Sequence, residues 1–305
     1  MPAMAPDKTL IVIVGPTGIG KTALAISLAR QFSTEIISAD SRQFFREMEI
    51  GTAKPSAAEL TAAHHHFINS HSIQTFFSTG DFELQAIDLI NHLFRKHELL
   101  VMVGGSGLYI DAVCNGLDEL PETDLNIREK LNQQLATEGL EPIKRQLSVA
   151  DPEYYQKVDQ ANPQRLIRGL EFYLSTGKKL STHFTNNKKI RPFNIIKIGL
   201  NINRAELYNR INHRVDKMME AGLLDEVKSL QPFRKYNALN TVGYAELFSH
   251  LDGEMTLTAA VDQIKQNTRR FAKRQLTWFR RDNSITWFEP GQDNAVISYI
   301  IEKKD

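Results

Sequence analysis

The residues with the clearest chemical potential form the run GPTGIGKT: Gly15, Pro16, Thr17, Gly18, Ile19, Gly20, Lys21 and Thr22. They fit the spacing G-x-x-x-x-G-K-[ST] at every fixed position and directly follow the apolar run Leu10-Ile11-Val12-Ile13-Val14. In such a loop the glycines let backbone N–H groups turn inward around an anion, at the positive end of the helix that follows. Lys21 adds a flexible point charge, and the Thr22 hydroxyl is placed to ligate magnesium. A chance glycine turn is the competing reading, and the strand before and helix pattern after the loop argue against it. The pattern specifies phosphate, of a nucleotide or of another diphosphate.

Most enzymes with this loop move phosphoryl groups and hold magnesium with an acid at the end of another apolar strand. Here the run Leu99-Leu100-Val101-Met102-Val103 ends in Gly104-Gly105-Ser106 instead. The acid at a strand end near the loop is Asp40, in Ala39-Asp40-Ser41-Arg42-Gln43. Asp-Ser pairs commonly cap helices or close turns. A carboxylate beside bound phosphate could equally accept a proton or orient a nucleophile. The spacing leaves both open, and a small-molecule or nucleotide kinase remains the alternative enzyme.

Residues 265–281, KQNTRRFAKRQLTWFRR, hold seven basic residues and no acid. As a helix, Val261, Ile264, Phe271, Trp278 and Phe279 share one side, with Arg269, Arg270, Lys273, Arg274, Arg280 and Arg281 on the other. A solvated charged face normally interleaves acids. A one-sign stripe on an apolar anchor favours a nucleic-acid backbone footprint, and a nucleotide-gated RNA-binding protein is the non-catalytic version of that reading. Arg165 and Arg168 lie three apart after Pro163, a spacing that unaided reads as an exposed amphipathic helix. Arg210 and Arg214, four apart, point the same way, either pairing with Glu206 or Asp216 or clamping an anion at the loop. The triplet His64-His65-His66 is assigned to packing, since three consecutive residues cannot share a face and no further ligand sits at metal-site spacing.

The elements that position these groups follow from hydrophobic patterning. Short, fully apolar strands at Thr9–Val14, 35–38 and Leu99–Val103 alternate with helical patterns at 22–32 and 81–97, the signature of a parallel sheet covered on both faces. Active groups are then expected at the strands' carboxyl ends. From residue 118 the pattern is helical throughout, at 124–138, 141–147 and 163–175; strand signal returns at 195–202, before a long helix at 204–230. The expected organisation is an α/β phosphate-loop NTPase-like core (1–117 and 193–305) with a parallel sheet flanked by helices, interrupted by an all-helical insertion (118–192). The 305 residues are 42% hydrophobic and 24% charged with a net charge of +1, so any basic surface must be local. The single cysteine, Cys114, excludes an internal disulfide and fits a reducing compartment. The apolar run near the start is too short for a membrane span. A soluble, cytoplasmic protein is expected.

Taken together, GPTGIGKT, ADSRQ, IGTAKP, VGGSGLYI, NPQRLIR and TRRFAKRQLTWFRRD resemble the tRNA dimethylallyltransferase (tRNA isopentenyltransferase) family, in the family's order from residue 15 to residue 282. The resemblance implies transfer of a dimethylallyl group from dimethylallyl diphosphate to the exocyclic amine of the adenosine just 3′ of the anticodon, tRNA position 37, with a helical insertion that grips the anticodon stem-loop; a monomer is expected. It implies Asp40 as general base, and Ser41, Arg42 and Gln43 along the target-base site. It further implies the phosphate loop around the donor's diphosphate, with Thr22 near Mg2+ and Arg214 on the leaving diphosphate. Ser106, Arg128 and the stretch Gln164, Arg165, Leu166, Ile167 and Arg168 match positions that touch tRNA, and the basic stripe with Arg269 and Lys273 is read as joining them. Some positions depart from the pattern: Ser106 stands where Thr is frequent, Phe44-Phe45 replaces an aliphatic-Tyr pair, and His64 replaces a Pro.

Overall fold

The computed structural model describes residues 8–185 and 188–304. Six strands form one sheet: β1 (Thr9–Val14), β2 (Ile36–Ser38), β3 (His65–His66), β4 (Leu99–Val103), β5 (Asn194–Leu200) and β6 (Ile285–Phe288). The spatial order is β3-β2-β4-β1-β5-β6, and every pairing is parallel. β1 is central and wholly buried because both faces carry helices. Its side chains alternate accordingly. Ile11 and Ile13 pack with Leu28 and Ile211 on one face, while Leu10, Val12 and Val14 pack with Phe44 and Phe82 on the other. Burying each such side chain contributes about 1.5–3 kcal/mol.

After β4 the chain crosses to the opposite side of β1, so the strand order reverses at β1. A parallel sheet opens a crevice at that reversal, beyond the strands' carboxyl ends. The phosphate loop occupies this position.

The chain divides into two compact units, residues 1–115 with 190–305, and residues 116–189. The second unit is helical among its described residues and has its own core, centred on Leu131, Ile143, Leu147, Leu166, Ile167 and Leu170.

The helix expected at 204–230 is two helices, Arg204–Glu220 and Leu223–Leu230. Gly222 separates them with φ +97°, a left-handed conformation that glycine adopts without steric cost. β3 and β6 escaped the patterning because two- and four-residue strands are too short for a periodic signal. No helix among the described residues is long and apolar enough to cross a membrane.

Candidate active site

The loop between β1 and the helix Lys21–Gln31 depends on close backbone approach. A Cβ on Gly15 (φ +146°) would lie 2.8 Å from the Leu200 carbonyl oxygen of β5. Gly20 caps the helix in the left-handed region, φ +105°. Lys21 Nζ folds back to donate to the Pro16 carbonyl at 2.8 Å. Burial lowers the Lys21 pKa to about 7; neighbouring Asp40 opposes this and Arg214 adds to it. Lys21 and Thr22 line a cavity of about 350 Å³ together with Asp40, Arg210, Arg214 and Gln275. Ile19 is fully buried and serves the core instead.

Asp40 reaches this cavity from the end of β2 because β4 ends in glycine. A Cβ on Gly104 would meet the Ala39 carbonyl oxygen at 2.3 Å. Asp40 Oδ1 also accepts the Arg42 backbone N–H at 2.9 Å. The turn role and the cavity position weighed from sequence therefore coexist in one side chain. Ser106 Oγ accepts the Ser41 N–H at 3.0 Å, tying the β4 turn to the β2 turn. Gln43 Nε2 donates to the Thr52 and Ala53 carbonyls at 3.3 and 3.2 Å, anchoring the IGTAKP loop beside them.

A second pocket, about 210 Å³, adjoins the first and shares Thr17, Asp40, Arg214 and Phe271 with it. Ser41, Arg42 and Ser106 line part of it, and Val215, Met218, Leu223 and Ile264 give it an apolar wall. A cavity lined by Lys21, Arg210 and Arg214 and a more apolar pocket thus meet at Asp40 and Arg214. Burial lowers the Arg214 pKa and the nearby Asp40 carboxylate raises it. Arg210 pairs with Glu206 at 2.6 Å and also lines the first cavity beside Arg214.

The residues expected to meet RNA divide. Gln164 and Arg165 are exposed. Leu166 and Ile167 are 0% and 1% exposed and pack in the helical unit's core, so their side chains offer no surface to RNA. Arg128 and Arg168 both hydrogen-bond the buried Glu171 carboxylate, at 2.7 and 3.4 Å, which ties them to a structural ion-pair network. In the helix Leu257–Phe279, Lys273, Arg270 and Arg274 are exposed. Arg269 is half-buried, donating to Asn212 Oδ1 at 2.6 Å. Phe271, expected on the apolar anchor, instead stands 38% exposed and lines both pockets.

Sequence reasoning missed three supports. Gln275 Oε1 accepts the Thr17 N–H at 2.8 Å, and its Nε2 donates to the Gly105 carbonyl at 2.9 Å. One buried amide thus joins the phosphate loop to the β4 turn. Its signal was a polar residue at helical spacing with the apolar Ile264, Ala272 and Phe279 on the face that turns inward. Glu226 accepts the N–H groups of Glu49, Ile50 and Gly51 and the Tyr244 hydroxyl, bracing the IGTAKP loop from more than 170 residues away. His65 lines the cavity; its Nδ1 is 2.8 Å from the Ala63 carbonyl oxygen, and its buried Nε2 has no hydrogen-bond partner among the described residues.

A family model described as IPP transferase matches residues 43–282. A tRNA dimethylallyltransferase of Christiangramia forsetii is 54% identical over 295 residues, covering 97% of this chain and 98% of its own. The chain belongs to the IPP transferase family. A second relative, tRNA dimethylallyltransferase 1 of Bacteroides thetaiotaomicron, is 47% identical over 96% of this chain and 95% of its own. Among solved structures, the tRNA isopentenylpyrophosphate transferase of Bacillus halodurans superposes with a TM-score of 0.72 at 37% identity, over 98% of this chain and 97% of that one. A eukaryotic dimethylallyltransferase acting on tRNA gives 0.73 at 28% identity, over 92% of this chain and 74% of that one. The family's sheet with flanking helices is the fold described above.

Proposed function

We propose that this protein is a cytoplasmic tRNA dimethylallyltransferase, moving the dimethylallyl group of dimethylallyl diphosphate onto the exocyclic amine of the adenosine 3′ of the anticodon. One observation carries the reading beyond family membership: the cationic cradle and the apolar pocket share Asp40 and Arg214. A prenyl diphosphate has that polarity, charged at one end and apolar at the other. Family membership favours it over the kinase alternative.

The chemistry follows from the groups present. An aromatic exocyclic amine is a poor nucleophile because its lone pair is delocalised. The allylic carbon tolerates positive charge, so the barrier depends on stabilising charge that develops on the departing diphosphate. Preorganised donors do this best, and losing one typically costs about 3 kcal/mol. The loop N–H groups, Lys21 and Arg214 take that role. Asp40 would accept a hydrogen bond from the amine, orient it, and take its proton as the carbon–nitrogen bond forms. A stem-loop base is reached by unstacking it into the site, where Ser41, Arg42, Gln43 and Ser106 stand.

Thr22 and Asp40 both line the cradle, one carrying a hydroxyl and the other a carboxylate. Few protein oxygens beside a phosphate site suit Mg2+, which keeps waters and binds phosphate oxygens directly. Bound there, it would neutralise diphosphate charge. The protein is proposed to act as a monomer.

The test is to incubate the protein with unmodified tRNA and dimethylallyl diphosphate and to map any mass gain by nuclease digestion. A prenyl group on the adenosine beside the anticodon supports the proposal. Phosphorylation of an acceptor in a parallel reaction with ATP would replace it with the kinase.

A further inference from the structure

The His64-His65-His66 triplet, assigned to packing from sequence, lies in an extended segment ending in β3. Side chains alternate along such a segment, so although three consecutive residues cannot share a face, the first and third can. The His64 and His66 rings are 4.5 Å apart, edge to face. His65 turns the other way and lines the phosphate-loop cavity.

Glu35, the residue before β2, completes the cluster from a distant part of the sequence. Its Oε2 lies 2.7 Å from His66 Nε2, and its Oε1 lies 3.3 Å from His97 Nε2. The metal-ligating atoms of Glu35, His64 and His66 all lie within 4.8 Å of one another. Donors about 2.0–2.2 Å from a tetrahedral zinc ion stand about 3.3–3.6 Å apart, so zinc would replace the Glu35–His66 hydrogen bond and open that pair from 2.7 Å, while rotation of the exposed His64 ring brings in the third donor.

We propose that Glu35, His64 and His66 form a binding site for one zinc ion, with His97 or water as the fourth ligand. Two imidazoles with one carboxylate form a three-ligand set suited to zinc, whereas Mg2+ favours oxygen ligands throughout. The ion would clamp a weak point of the sheet. β3 is two residues long and at the edge, paired only through Ile36 with His65 and Ile37 with His66. Bridging Glu35 to both neighbours of His65 fixes that part of the cavity wall.

The experiment uses the full chain without an affinity tag, stripped with chelator and titrated calorimetrically with zinc chloride in excess Mg2+, which occupies any site at Thr22. The expected result is one zinc ion per chain, with affinity falling roughly tenfold or more in His64→Ala and in Glu35→Gln. Zinc should also raise the melting temperature of the parent protein and not that of His64→Ala, whose ring is exposed. A parent protein that binds no zinc, or a His64→Ala variant that binds it equally well, would overturn the proposal.

Discussion

The Lys21 ammonium donates to the Pro16 carbonyl at 2.8 Å, so a carbonyl of the phosphate loop holds the cation where phosphate oxygens would take it over. Burial brings this lysine from the ordinary 10.5 to about 7. Between those values the unfolded chain keeps a proton that the folded protein has lost, so this group favours folding more as pH rises through that window. A bound diphosphate acts in the opposite direction, since a nearby anion favours the charged amine. Binding of inorganic diphosphate at about pH 8 should therefore take up protons. Calorimetry in buffers of different ionisation enthalpy would measure the uptake. Lys21→Met should abolish much of it, and equal uptake in that variant would contradict the assignment.

Asp40→Asn keeps an oxygen for the Arg42 N–H and removes the base. Turnover should fall about 10²–10⁴-fold, with diphosphate affinity no weaker. Single-turnover rates beside equilibrium binding separate the two effects. An unchanged rate would remove Asp40 from the chemistry.

Gln275→Ala leaves the Thr17 N–H and the Gly105 carbonyl without their partner inside a buried junction. Orphaned buried groups cost about 1–3 kcal/mol, which a urea melt would register. Turnover should fall as well, because Thr17 belongs to the phosphate loop.

Neutralising the exposed pair Lys273 and Arg274 with Gln should weaken tRNA binding at low salt and lower the slope of log K against log salt by about one to two. Filter binding across a salt series measures it. An unmoved slope would mark the stripe as a solvated face.

Leu166→Ala removes a fully buried side chain from the helical unit's core. It should cost about 2–5 kcal/mol of stability, read by denaturant melts, while Arg165→Ala should leave stability within about 0.5 kcal/mol. The contrast separates core from candidate RNA surface within one helix.

These residues also show what a sequence can reveal. β1, β4 and the phosphate loop were legible because continuous apolar runs and fixed glycine spacing are local signals. Leu166 and Ile167 were drawn into the RNA surface because a motif names consecutive residues, whereas a helix exposes them about every third or fourth position. Gln275 and Glu226 could not be matched to the loops they brace because those loops lie 170 or more residues away. Glu35 joins His66 by the same kind of long-range folding, which spacing in the chain does not encode. The break at Gly222 was hidden by helical patterning that continues on both sides of it.

The central claim is that the loop holds a diphosphate that is left behind while the group attached to it departs. The direct measurement is to quantify diphosphate released and prenylated adenosine formed in one reaction with unmodified tRNA and dimethylallyl diphosphate. Equal amounts of the two, both lost in Lys21→Ala, are predicted. Diphosphate release without prenylated tRNA, or prenylated tRNA formed at the normal rate by Lys21→Ala, would contradict the account.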